Sequence, residues 1–138
     1  MNNAVFDTNV IVSGFLSPHG PPGRIVDWLR KGMASAILDD RIIDEYREVL
    51  GRAVFGIPLR EAQIVLQSIQ RNALWVTASA GAIAGGLPDP DDAPFLECAH
   101  VAGTPLVTGN VRHYPKAIAA TVPVLTPAEY IRLHKTSE

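Results

Sequence analysis

The sequence has a single cysteine, Cys98, which rules out an internal disulfide and the class of disulfide-stapled secreted domains. No basic segment precedes Asp7 at the amino terminus, which argues against a secretory signal peptide. The longest stretch without a charged side chain, 72–88, is too short and too rich in glycine to span a bilayer. We therefore expect a soluble cytoplasmic protein with no membrane segment, and Cys98 as a buried small apolar residue.

Charge is also sparse, because only 19% of the residues are Asp, Glu, Lys or Arg, and their formal sum is −2. Such a sum argues against a protein that holds nucleic acid by bulk positive charge. Apolar residues make up 47% of the 138 positions, enough for the core of one domain, and we predict a single domain over 1–138. The acids are unevenly placed, since nine of the 14 lie within 39–48 and 89–97.

Short apolar runs alternate with segments whose apolar residues have helical spacing. We predict strands near 3–6, 34–38, 73–76, 105–108 and 122–125, with helices between them and a loop over 17–23. This alternation is typical of βαβ units. It predicts an α/β fold, a three-layer αβα sandwich with a mostly parallel sheet of about five strands. Trp28 and Trp75 are interpreted as core residues.

Polar residues follow two of the predicted strands directly. Asp7 ends the first strand, and Thr108 and Asn110 end the fourth. In open parallel sheets, ligands bind outside the carboxyl ends of the strands. These residues are therefore candidates for a functional site, although an aspartate such as Asp7 is also a common turn former or helix cap.

Helical geometry brings two further acids toward this edge. At about 100° per residue, Glu45 falls beside the apolar stripe of its helix, where its stem could also simply reach out to water. Asp92 falls on the apolar side of the first turn of a later helix, where an isolated charge is costly. Together with Asp89 and Asp91 it puts three acids within four residues, which suggests a cation nearby.

Several converging carboxylates would repel one another unless a cation neutralised them. Oxygen ligands without cysteine favour Mg²⁺ or Mn²⁺, and the four histidines have no zinc-binding spacing. A magnesium ion held by acids most often acts on phosphates.

Four segments of the chain together resemble the PIN-domain ribonucleases, most closely the VapC-like toxins of toxin–antitoxin pairs. They are 5–10, 40–50, 89–96 and 106–110, and they occur in the order expected of that family. The resemblance spans nearly the whole chain. It implies a PIN-like fold and an endoribonuclease that uses one or two Mg²⁺ or Mn²⁺ ions.

The resemblance also implies roles for individual residues. Asp7, Glu45 and Asp92 would be catalytic and would bind metal, with Asp89 as an additional ligand. Asn110 stands where the family usually has a fourth acid, and its amide oxygen adds no negative charge, which puts a second ion in doubt. Three side chains would line the pocket: Thr8, Asn9 and Thr108.

Partners follow from the same resemblance. They are an RNA substrate, a small antitoxin that occludes the pocket, and a second copy of the chain in a homodimer. Basic residues beside the acids are candidates for contacts with RNA phosphates, each with an ordinary solvated surface as the alternative. They are Arg24, Arg30, Lys31, Arg112, His113 and Lys116.

Other proteins with acids at strand ends fit less well. A receiver domain needs an acid pair after the first strand, and a haloacid-dehalogenase-type phosphatase needs an aspartate at position 9, which is Asn9. A dinucleotide-binding domain needs a glycine fingerprint where Asp7 stands. One alternative from a different class stays open: a catalytically weak or inactive PIN-like module that binds RNA or a protein partner.

Overall fold

The computed structural model describes residues 2–78, 90–114 and 121–134. Its strands are β1 Asn2–Phe6, β2 Ala34–Leu38, β3 Leu74–Trp75, β4 Leu106–Val107 and β5 Val124–Leu125. The helices that it describes are α1 Thr8–Leu16, α2 Pro21–Lys31, α3 Asp40–Leu50, α4 Leu59–Asn72, α5 Ala93–Ala102 and α6 Pro127–His134. Short 3₁₀ turns occupy Ala53–Phe55, Pro90–Asp92 and Val111–His113. Among these described helices, none has the length and apolar character needed to cross a membrane.

The sheet has the strand order β3-β2-β1-β4-β5, and every neighbouring pair is parallel. The predicted α/β fold with a parallel sheet is therefore confirmed. The chain builds outward from β1 through β2 and β3, and then returns to add β4 and β5 on the other side of β1. This reversal puts the topological switch point between β1 and β4, where open α/β sheets form their ligand crevice. Asp7 and Thr108 follow these two strands directly.

Helices cover both faces of the sheet, as the burial of its central strands shows. All five residues of β2 are buried, and so are the last three of β1. A strand buried along its whole length has apolar layers on both sides. The ring of Tyr130 on α6 meets Phe6 edge-to-face with 5.3 Å between centroids, and it lies 6.0 Å from Trp28.

Two of the three predicted core residues are confirmed. Trp28 is 4% exposed, and Cys98 is fully buried. Burial raises the pKa of the Cys98 thiol to about 12, so it stays protonated as an inert core residue. The prediction for Trp75 is wrong, because its side chain is 50% exposed. β3 contains only two residues and lies at the edge of the sheet, so none of the other described strands packs on its outer side.

Local capping explains where several of the helices begin. The Asp39 carboxylate accepts a hydrogen bond from the backbone N–H of Ile42 at 3.0 Å and so starts α3. Thr126 and Glu129 form a reciprocal capping box at the start of α6, with bonds of 2.9 and 3.1 Å. The loop predicted over 17–23 is shorter than expected. Proline is favoured in the first turn of a helix, and α2 accordingly begins at Pro21.

Gly23 allows the segment before α2 to approach that helix closely. A Cβ atom at this position would lie 2.1 Å from the carbonyl oxygen of Pro18. We expect Gly23→Ala to destabilise the fold by about 1–3 kcal/mol, because backbone must shift to relieve the overlap. Chemical denaturation measures the change in unfolding free energy. Gly20→Ala is the control, since its nearest neighbouring atoms lie 3.8 Å away, and equal stabilities of the two variants would contradict the prediction.

Candidate active site

Asp7 lies at the centre of the crevice between β1 and β4, and it also serves as the N-cap of α1. Its Oδ1 accepts the backbone N–H of Asn9 at 3.2 Å. Its Oδ2 accepts the hydroxyls of Thr108 and Tyr114, each at 3.0 Å. The residue is only 7% exposed. Both carboxylate oxygens are thus oriented by neutral donors, and the helix cap that the sequence left open as an alternative is formed.

Polar bonds join the loops that follow β1 and β4. The Asn9 side-chain oxygen accepts the backbone N–H of Gly109 at 3.1 Å, and the Thr108 hydroxyl accepts the N–H of Asn110 at 3.0 Å. The Asn9 amide also approaches the Thr108 hydroxyl at 3.5 Å. Asn9 and Thr108, expected to line the pocket, therefore do lie together around Asp7.

Glu45 reaches the same place from α3, where its carboxylate accepts a hydrogen bond from the hydroxyl of Thr8. Partial burial raises the pKa of Glu45, the Thr8 bond opposes that rise, and the negative charges of Asp7 and Asp91 add to it. The carboxylates of Asp7 and Asp91 are thus close enough for their charges to act on Glu45. Helical periodicity predicts this position for Glu45, whereas the sequence marks Asp91 only as one acid at a helix start.

Asp92 is linked to Asn110 through the ring of His113. Its Oδ2 lies 3.3 Å from Nδ1 of His113, and Nε2 of the same ring lies 2.9 Å from the amide nitrogen of Asn110. Because an amide nitrogen only donates, Nε2 accepts, and Nδ1 carries the proton toward Asp92. Asp92 is buried as its helical position predicted, and Asn110 is linked to it through His113.

Tyr114 is a neighbour of Asp7 that the sequence did not reveal. It is buried, and its hydroxyl donates to Asp7 across 107 positions of the chain. Burial and the charges of Asp7 and Asp92 raise the pKa of the phenol, so it remains a donor at neutral pH. No spacing or local pattern marks this tyrosine, because its partner lies 107 positions away in the chain.

The basic residues predicted to contact RNA lie in different parts of the structure. Arg112 lies in the turn that also carries His113, whose ring contacts Asp92. Arg24 and Arg30 instead line a different cavity between α1, α2 and α4, and Lys31 pairs with Asp27 at 2.9 Å. Two predicted residues, Asp89 and Lys116, lie outside the residues that the structure describes.

Asp7 and Glu45 differ in their bonding partners from a second group of buried acids nearby. Asp39 and Glu97 are both paired with Arg41, at 2.8 and 2.6 Å. Within the described ranges, the groups bonded to Asp7 and Glu45 are hydroxyls and a backbone N–H, and neither carboxylate has an ion pair with lysine or arginine. Among the described residues, the charge nearest to compensating Glu45 is that of Arg52, which lowers its pKa without forming an ion pair with it.

Oxygen donors with excess negative charge suit a hard divalent cation such as Mg²⁺ or Mn²⁺. Asp7, Glu45 and Asp92 fit that chemistry. Over 2–78, 90–114 and 121–134, however, no three Asp, Glu, His or Cys side chains already lie in a ligating arrangement. The donor set fits a cation in type and charge, although its described members do not form a ready cluster of ligands.

Comparison with known proteins agrees with this geometry. A family model for the PIN domain matches residues 3–112, from β1 through the loop after β4. Searches of curated proteins and of solved structures gave no significant match. PIN domains are generally nucleases that use divalent metal ions. With most of the chain matched and the acids at the switch point of a parallel sheet, the chain belongs to the PIN-domain family.

Proposed function

We propose that the protein is an endoribonuclease that hydrolyses RNA phosphodiester bonds with Mg²⁺ or Mn²⁺. The observation that supports this most directly is the pair Asp7 and Glu45, which share a crevice at the switch point and are bonded, within the described chain, only by neutral donors. Such a pair attracts a cation, and a cation in turn attracts phosphate.

In this proposal the acids hold the ion, and neighbouring side chains orient the acids. Asp7, Glu45 and Asp92 would hold the ion, with Asp89 and the amide oxygen of Asn110 as further ligands. When bound, a divalent ion supplies Lewis-acid activation of water and of the phosphoryl group. Thr8 orients the Glu45 carboxylate and Thr108 orients that of Asp7, while His113 fixes Asp92. One ion is the simpler expectation, because Asn110 adds no charge.

The overall charge of the chain supports an RNA substrate once these acids are set apart. Without Asp7, Glu45, Asp89 and Asp92, ten acids remain against 12 lysines and arginines. The remainder of the chain is then net positive by two, which favours RNA. Binding of RNA should therefore depend on the metal.

The biological role in this proposal is that of the toxin in a cytoplasmic toxin–antitoxin pair. The four motif segments support it through their resemblance to that branch of PIN-domain proteins. A small gene beside this one would encode the antitoxin, and a homodimer is the expected assembly. Co-expression of that neighbour should suppress RNA cleavage, and sedimentation should give twice the mass of the chain.

The proposed activity is tested by incubating the purified protein with single-stranded RNA and Mg²⁺ or Mn²⁺, with and without chelator. Cleavage that needs the ion supports the enzyme. Absence of cleavage on every RNA tested, together with absence of Mn²⁺ binding by calorimetry, would leave the second candidate, a non-catalytic PIN module. The observation that favours this second candidate is Asn110 in place of the family's usual acid.

Tyr114→Phe tests whether the buried hydroxyl orients Asp7. Loss of a group that positions a metal ligand typically lowers affinity or activity about 10–100-fold, and we expect an effect in that range on Mn²⁺ affinity and on cleavage. Tyr130→Phe is the matched control, because it removes another hydroxyl, bonded at 2.6 Å to the Asn2 carbonyl away from the acids. Equal Mn²⁺ affinities in the two variants would refute a positioning role for Tyr114.

A further inference from the structure

The side chain of Trp75 is half exposed at the end of the edge strand β3. Its exposed fraction is 50%, and that of its neighbour Leu74 is 48%. Successive side chains of a strand point to opposite faces, so the two residues present separate surfaces. A half-exposed tryptophan is a large apolar surface beside water, and such residues are enriched at binding sites.

Trp75 lies at the same edge of the sheet as the acids. The sheet register pairs Ala4 with Ala36, and Leu38 with Trp75. Continuing the first register puts Phe6, the residue before Asp7, beside Leu38. Trp75 is thus two strand spacings from Phe6, or roughly 10 Å. A single strand of RNA that enters the acidic crevice can extend over this distance.

A cavity of about 350 Å³ adjoins Trp75, at the carboxyl ends of β2 and β3. Volumes of roughly 300–1,000 Å³ are typical of small-molecule sites. Its lining includes Asp40, Arg41 and Thr77 in addition to the indole. Arg41 precedes Glu45 by one turn on α3, so the two residues lie on the same face of that helix.

The charged residues that line the cavity favour the base of a nucleotide over its phosphate. Arg41 is already engaged by the carboxylates of Asp39 and Glu97, and Asp40 adds a further negative charge. A phosphate would therefore be repelled. A nucleobase would stack on the indole and could donate its amino group to a carboxylate, since stacking on aromatic side chains is open to every base.

We propose that Trp75 is a stacking site for one base of single-stranded RNA, adjacent to the acidic crevice. This inference depends on the proposed function for its substrate, and it assigns the cavity beside β3 to a base near the cleaved bond. Phosphates held in the crevice and a base held on Trp75 would together set the direction of the strand.

The test uses Trp75 as its own reporter, because the chain has two tryptophans and Trp28 is buried. Oligoadenylate with Ca²⁺ in place of Mg²⁺ should quench the fluorescence of the wild-type protein and leave that of Trp75→Phe unchanged. An abasic oligonucleotide of the same length carries the same phosphates and should not quench. Equal quenching by both oligonucleotides would overturn the proposal.

Binding and kinetics of variants complete the test. Trp75→Ala should weaken oligoadenylate binding by roughly tenfold or more and raise KM without lowering kcat, and Trp75→Phe should recover part of the loss. Leu74→Ala is the matched control, equally exposed on the other face, and should bind RNA as the wild type does. Unchanged affinity in Trp75→Ala would refute the stacking site while leaving the nuclease intact. Quenching without any cleavage would refute the nuclease and support the stacking site.

Discussion

Asp7→Asn is expected to reduce metal-dependent RNA cleavage by more than about 100-fold. Loss of a residue that only orients a ligand costs about 10–100-fold, and Asp7 would itself be a ligand, so the larger loss is expected. The amide keeps the size of the side chain but removes its negative charge and turns one oxygen into a donor. That donor would face the hydroxyls of Thr108 and Tyr114, which can rotate to accept from it.

A second measurement separates loss of the ion from loss of the fold. In the wild type, an ion at 100 times its dissociation constant stabilises the folded state by about 2.7 kcal/mol, so Mn²⁺ should raise Tm. Asp7→Asn should fold in chelator and show little of this rise. Asp44→Asn is the control, since Asp44 is exposed on α3 and pairs with Arg47, and it should cleave RNA normally. Full activity in Asp7→Asn would exclude Asp7 as a metal ligand.

The crevice could be predicted because its first members are fixed by local sequence. Asp7 and Thr108 directly follow apolar strand residues, and the carboxyl ends of parallel strands meet at one edge. Glu45 and Asp92 follow from helical periodicity, which determines the side of a helix on which a residue lies. In each case one element specifies the direction of the side chain.

The residues that escaped prediction depend on packing between distant segments. The partner of Tyr114 is 107 positions away, and no periodic pattern contains that information. Trp75 was misassigned because an apolar run of four residues, 73–76, is consistent with a buried strand, whereas only two of them pair, at the edge of the sheet. The assignments of Asp89 and Lys116 stay predictions from the sequence.

Arg41→Met is expected to destabilise the protein by about 2–3 kcal/mol. Arg41 bonds Glu97, which is 2% exposed, and Asp39. Burial alone would lower the pKa of Arg41, but its bonds to the two carboxylates outweigh that effect and raise it. Removing one partner of a fully buried ion pair costs roughly 3–5 kcal/mol. We expect less here, because the Arg41 side chain as a whole is 36% exposed and water screens part of the interaction.

Thermal unfolding should show this loss as a decrease in Tm of roughly 6–12 °C. Arg47→Met is the control on the same helix, since its ion pair with Asp44 is exposed and should contribute less than about 1 kcal/mol. A Tm for Arg41→Met equal to that of Arg47→Met would show that the buried pair contributes nothing net.

The double variant Arg41→Met with Glu97→Met distinguishes between two causes of instability, an unpaired buried carboxylate and the loss of side-chain packing. If the instability of Arg41→Met comes from the unpaired Glu97 carboxylate, removing that charge should recover most of the stability, because apolar replacements of buried ion pairs are often neutral or better. If Arg41 contributes through the packing of its stem, the double variant stays unstable. The two acidic groups also differ in the partners of their carboxylates. Arg41 neutralises Asp39 and Glu97 from within, whereas Asp7 and Glu45 have only hydroxyls and a backbone N–H from the part of the chain that the structure describes.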